Sequence, residues 1–184
     1  VAIFARMQEA APFELLQPHS APSRAWRTRQ EFVEKDGHAF RHDRETGEWV
    51  QLDTRAGSGL ATDYHANETQ HIFTGADVAA RVTVVPAAEQ LATGVNDYLD
   101  AVVRRFGKEE FILSGGVVGT LYSCSSHVGL TNLFVLLVEQ PELIDCLCEK
   151  ILAQNLETIR RYAAAGGDAI YIDDATATSD MISP

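Results

Sequence analysis

A chain of 184 residues with 46% hydrophobic and 22% charged residues is long enough for one sizeable domain around a buried core. Its formal net charge of -11 and pI near 4.9 exclude the electrostatic footprint of nucleic-acid or anionic-membrane binding, while leaving an acidic face that can meet a basic partner protein. No window approaches the ~18 uninterrupted apolar residues of a membrane span, and Arg6 and Glu9 interrupt the apolar run of Val1 to Ala11 where a signal peptide would be apolar. A soluble, cytoplasmic protein is expected.

Val1 to Ala11 suits a helix, with Ile3, Phe4 and Met7 on one side, and Pro12, Pro18 and Pro22 then punctuate an irregular connection. From Trp26 the pattern turns to strand. Thr28 to Asp53 reads as a small antiparallel meander, with Asp36-Gly37 as a hairpin turn and a second turn around Thr46-Gly47. His38 and His42 would share one strand face there, a spacing a metal can use, although exposed hairpin histidines fit it more simply. Thr54 to Thr74, with His65 and His71, reads as a long polar loop, and Ile72, Phe73 and Val82 to Val85 as short apolar pieces.

Pro86 opens the clearest helix, with Leu91, Val95, Tyr98, Leu99, Val102 and Phe106 at helical spacing and Gly107 to stop it. Phe111-Ile112-Leu113 is a short apolar strand, and Ser114-Gly115-Gly116 begins a Gly/Ser-rich loop that continues through Tyr122, Cys124 and His127 to Gly129. The glycines allow close backbone approach to a ligand or a tight turn. They lack the lysine of a phosphate loop and the spacing of a dinucleotide fingerprint. A short helix follows from about Leu130 to Glu139. Pro141 opens a longer one that buries Ile144, Leu147, Ile151, Leu152, Leu156, Ile159 and Ala163 and ends at Gly166-Gly167.

Ala169 to Ile172 is then a strand that delivers Asp173 and Asp174 into a Thr/Ser-rich loop. The order helix, strand, loop, helix, helix, strand, loop implies a parallel sheet with crossovers. Carboxylates beyond the carboxyl end of such a strand are where ligands bind, although Asp173 as a cap and Asp174 as a solvated group are the plain alternative.

Three cysteines at irregular spacing do not form a disulfide framework. Cys146 and Cys148 diverge by about 200° around a helix and read as core or groove residues. Cys124 and His127 could ligate a metal together, but two ligands do not complete a site.

The run Phe111-Ile112-Leu113-Ser114-Gly115-Gly116, then Gly119-Thr120-Leu121, Glu139-Gln140-Pro141-Glu142-Leu143-Ile144, Ala165-Gly166-Gly167-Asp168-Ala169-Ile170-Tyr171-Ile172-Asp173-Asp174 and Ile182-Ser183-Pro184 resembles the uroporphyrinogen decarboxylase superfamily over residues 86 to 184. The N-terminal half matches more loosely, through a hairpin like those inserted in its methyltransferase-like branches. The resemblance implies an α/β fold, a (β/α)8 TIM barrel with its active site at the carboxyl ends of the strands. Such barrels take about 250 residues, so the chain is expected to be an internal part of one, with residues 28–53 an inserted hairpin and 86–184 core βα units.

The superfamily holds two chemistries. Decarboxylases remove acetate carboxyl groups from a tetrapyrrole without a cofactor, and related methyltransferases move a methyl group to or from a corrinoid protein, often with zinc. The family's tyrosine after Thr-Leu falls on Cys124, with Tyr122 two residues away, and the serine after the strand-end aspartate falls on Asp174. The arginine-rich substrate motif and an early catalytic aspartate would precede Val1. An aspartate for that serine repels a polycarboxylate substrate by roughly 4 kcal/mol for unit charges 4 Å apart at an effective dielectric of 20. Methyl transfer is therefore the leading expectation and decarboxylation the second. A non-catalytic barrel fragment that binds a partner or corrinoid protein is the third.

By this resemblance Asp173, Asp174, His127 and Tyr122 are the catalytic candidates, and Ser114, Gly115, Gly116 and Cys124 the substrate-binding ones. Zinc and a partner-borne corrinoid would be the cofactors of methyl transfer, with metal ligands outside the identifiable residues. The open parallel edges of an incomplete barrel also favour a second copy of the chain as a partner.

Overall fold

The structure, a computed structural model, describes residues 5–6, 9–10, 14–52, 72 and 74–174. The helix expected over Val1 to Ala11 is seen at residues 5–6 and 9–10, and the rest of it lies outside the described residues. So do most of the Thr54 to Thr74 loop, with His65 and His71, and the Ile182-Ser183-Pro184 end.

Two three-stranded sheets are formed. The first is parallel, in the order β1 (Leu15–Leu16), β5 (Phe111–Val118), β6 (Ala169–Asp173). The second is the expected meander, β2 (Gln30–Lys35), β3 (His38–Asp43) and β4 (Trp49–Leu52), all antiparallel. Its turn falls at Asp36 and Gly37, both at positive φ. Residues Trp26 to Arg29, read as strand, are instead the end of α1 (Arg24–Arg29), because Ser23 accepts the backbone N–H of Trp26 and starts a helical turn. β1 falls within the segment read as irregular; with two residues it is too short to show a period.

The helix read from Pro86 is two, α3 (Ala87–Ala92) and α4 (Asp97–Phe106). The break falls at Gly94, whose φ of +79° is left-handed and whose missing side chain leaves room for Arg24, 2.6 Å from where a Cβ would stand. Arg24 and Arg27 reach through the gap to the Asp97 carboxylate, each at 2.5 Å. Ahead of it, α2 (Gly75–Arg81) is closed by a capping box in which Thr74 and Asp77 each accept the other's backbone N–H.

Two further expectations are corrected. β5 does not stop at Leu113: it runs on through Ser114-Gly115-Gly116 to Val118, with an irregularity in its pairing to β6 between Leu113 and Gly116. The glycines sit where neighbouring rings take the space of a side chain. A Cβ on Gly115 would run into the Tyr162 ring, and one on Gly116 would stand 2.8 Å from Tyr171. The segment read as loop is α5 (Thr120–Val128), whose Ser125 and Ser126 hydroxyls donate to the carbonyls of Tyr122 and Ser123. It bends by 105° into α6 (Leu130–Glu139), and α7 (Pro141–Ala163) returns as a helix of 23 residues. Among the described residues no single helix is long and apolar enough to cross a membrane.

The core has two parts. Leu16, Ile112, Val117, Leu99, Val102, Phe106 and Tyr162 pack the parallel sheet against α4 and α7. Val78, Val82, Cys124, Val128, Leu133, Leu136, Leu143, Ile144, Leu147 and Ile151 join α2, α5, α6 and α7. Each fully buried aliphatic side chain contributes about 1.5–3 kcal/mol, so α7, which lends residues to both parts, is the element that ties them together. Leu15, Phe111, Val118 and Tyr171 lie exposed on the other face of the parallel sheet. Their cross-strand pairing puts Asp173, the partner of Val118, on that open face at its carboxyl end.

Candidate functional site

The carboxyl ends of β5 and β6 meet at one point. Gly119 donates its N–H to the Asp173 carbonyl at 2.5 Å, so the first residue after β5 is tied to the last residue of β6. Immediately beyond, the two Asp174 carboxylate oxygens accept the backbone N–H groups of Leu121 at 3.1 Å and Tyr122 at 3.2 Å. Helix α5 has no side-chain cap of its own, and Asp174 fills that role from 53 residues away. Its charge faces the positive end of the helix dipole. Gly119 is needed for this approach, since a side chain there would collide with the Asp174 carboxylate.

Asp173 is placed differently. It is exposed, on the open face, and its carboxylate lies beside Tyr171, whose phenol it holds above its ordinary pKa. Tyr171 carries no catalytic role in the sequence reading, yet strand alternation alone places it beside Asp173, two residues along. Tyr122 projects from the first turn of α5, which Asp174 caps, and is 40% exposed. His127, in the last turn of the same helix, is half-buried. Asp173, Asp174 and Tyr122 are thus gathered at one end of the sheet, and His127 stands about two turns of α5 away.

Three of the four substrate-binding candidates lie elsewhere. Ser114 is buried on the helix side of β5 beneath Gly167, and its hydroxyl has no partner among the described residues. Gly115 lies under the Tyr162 ring, and Gly116 alone meets the open face, beside Tyr171. Cys124 is fully buried between α5 and α7, with its sulfur 3.4 Å from that of Cys148. The hydrogen bond to Cys148 and burial both push the Cys124 thiol far above its usual pKa, which keeps it protonated and unreactive. Cys146 and Cys148, as read, pack at the edge of the core.

No three His, Cys, Asp or Glu side chains converge as a metal requires among the described residues. His38 is hydrogen-bonded to Gln51 at 3.1 Å and His42 is stacked on Trp49 at 4.2 Å, so the hairpin histidines are occupied by their own sheet. The described residues therefore do not fit a zinc site.

A parallel sheet backed by helices, with two adjacent carboxylates at the carboxyl end of β6, is the α/β arrangement in which ligands bind beyond the strand ends. The family model for uroporphyrinogen decarboxylase matches residues 58–184, and the chain belongs to that family. No curated protein and no solved structure matches it significantly.

Proposed function

We propose that this chain supplies part of the active site of a (β/α)8 enzyme in the methyltransferase-like branch of the uroporphyrinogen decarboxylase family, acting on a corrinoid-linked methyl group. The observation that carries the reading is the pair of adjacent carboxylates at the end of β6, which divide their work. Asp174 holds the β5–α5 connection in place through two backbone hydrogen bonds, and Asp173 remains exposed on the open face to orient a substrate. An exposed carboxylate beside a tyrosine suits a cationic or neutral methyl donor better than a polycarboxylate, which it would repel. Tyr122 and His127 are the neighbouring groups available as donors. The described residues bring no zinc ligand set together.

Decarboxylation of a tetrapyrrole is the second reading, and one observation favours it. The Asp174 charge is turned toward the amino end of α5, which reduces the repulsion that an aspartate at this position would otherwise exert. Asp173 would then accept hydrogen bonds from pyrrole nitrogens.

The full-length protein, assayed in parallel for methyl transfer to a reduced corrinoid, read by its absorption change, and for carbon dioxide release from uroporphyrinogen, separates the two. Methyl transfer that falls about a hundredfold or more in Asp173→Asn supports the first. Carbon dioxide release without methyl transfer replaces it with the second, and neither activity in a folded protein leaves a binding role.

A further inference from the structure

Away from the strand ends, α7, α3 and the segment that follows β1 border an open cavity of ≈ 270 Å³ lined by Ser20, Thr83, Gln90, Gln154, Thr158 and Arg161, with Val85 and Val95 on its apolar walls. The helices are joined beside it by Glu157, whose carboxylate accepts the Ala87 N–H at 2.7 Å and so caps α3. Arg161 is 6% exposed and forms no ion pair among the described residues. Its Nη1 donates to Asn96 Oδ1 at 2.7 Å and Ser20 Oγ at 3.0 Å, and its guanidinium stacks on Tyr162 at 4.1 Å. Among the described residues Nε is buried without an acceptor and Nη2 makes no hydrogen bond. The satisfied nitrogen is thus the one that anchors the side chain, and Nη2, neither bonded nor fully covered, is left over as a charged donor for a carboxylate or phosphate.

Buried cations are ordinarily paired, and this one is surrounded by neutral donors and acceptors. Besides Val85 and Val95, the described side chains lining the cavity around Arg161 are hydroxyls and carboxamides, and the nearby Glu157 carboxylate is held by the Ala87 N–H and Arg160. We propose that this cavity is a binding site for a small oxyanion, the carboxylate or phosphate group of a metabolite of a few carbon atoms, held by Nη2 of Arg161. The volume is below the usual range for drug-sized ligands and ample for such a group with a short apolar tail on Val85 and Val95. The site is independent of the chemistry at Asp173.

The test is calorimetric titration of the full-length protein at low ionic strength with inorganic phosphate and, separately, with acetate. Saturable binding of phosphate alone identifies a phosphate ester, of acetate alone a carboxylate, and of both an oxyanion site common to them. Arg161→Gln weakens that binding about tenfold or more. Because loss of the anchor bonds to Asn96 and Ser20 threatens the fold, Thr158→Glu is the companion variant. It sets a carboxylate one helical turn from Arg161, and is expected to abolish anion binding and to melt above the wild-type protein measured without anion. No saturable binding of either probe by the wild-type protein overturns the proposal, as does unchanged binding in folded Thr158→Glu.

Discussion

Asp173 and Asp174 are adjacent and chemically identical, yet the fold gives them opposite surroundings. Successive strand residues point to opposite sides, so when Asp173 takes the open face, Asp174 turns toward the amino end of α5. The two substitutions therefore separate by readout. Asp174→Ala removes a cap and lowers stability by about 1 kcal/mol in a denaturant titration, whereas Asp174→Asn, which still offers a side-chain oxygen, recovers most of it. Equal losses in the two variants would show that the cap is not the role of this residue. Asp173 carries no such backbone duty in its side chain, so Asp173→Asn leaves the denaturation midpoint within about 0.5 kcal/mol of the original. The sequence placed both acids at a strand end. It could not assign their roles, because the partner of Asp174 is a helix terminus 53 residues earlier.

Among the elements, legibility followed the range of the interactions that build each one. The bounds of helices α6 and α7 were readable almost to the residue, since their apolar stripes and Pro141 are local signals, but the buried side read for α7 was too wide: Leu152, Leu156 and Ala163 are exposed. The Thr74–Asp77 capping box was equally local and would have revealed α2. By contrast, β5 was cut short because Ser114-Gly115-Gly116 looks like a loop until Tyr162 and Tyr171 are known to occupy the space beside it. Helix α5 was hidden by its run of hydroxyl residues, which satisfy themselves on its own carbonyls.

The antiparallel meander makes a prediction at this scale. Burial raises the Asp43 pKa, but the Gln30 side chain, the N–H groups of Thr46 and Glu45 and the Arg29 guanidinium together outweigh it and leave the carboxyl below its usual value. A depressed pKa adds stability above the unfolded value of about 3.9, and that stability is lost as pH falls through the folded value. Of the chain's two tryptophans, Trp26 lies in α1 and Trp49 in β4, so their fluorescence reports on the meander and the helix that leads into it. An acid transition below about pH 4 is expected in that signal and is expected to be absent in Asp43→Asn. A transition unchanged by the substitution would place its origin elsewhere, with Asp97, also held low by Arg24 and Arg27, as the next group to test.

For the molecule as a whole, the parallel sheet presents an apolar face of Leu15, Phe111, Val118 and Tyr171, and β6 pairs on one side only among the described residues. Ile172 stands 64% exposed on that edge strand. An open parallel edge beside exposed aliphatic residues templates pairing with another chain. The 184-residue chain by itself is expected to elute as a concentration-dependent oligomer, and Ile172→Lys to shift it toward the monomer without altering tryptophan fluorescence. A monomer at every concentration would refute this. The remote cap on α5 also bears on the order of events during synthesis. At about 5–20 residues per second, Asp174 is added roughly 3–10 s after Leu121, so the start of α5 waits that long on the ribosome with its amino end unclosed. The fragment of the protein that chaperones first meet is therefore one in which β5 is made, its neighbour β6 is not, and the helix between them has yet to be fixed.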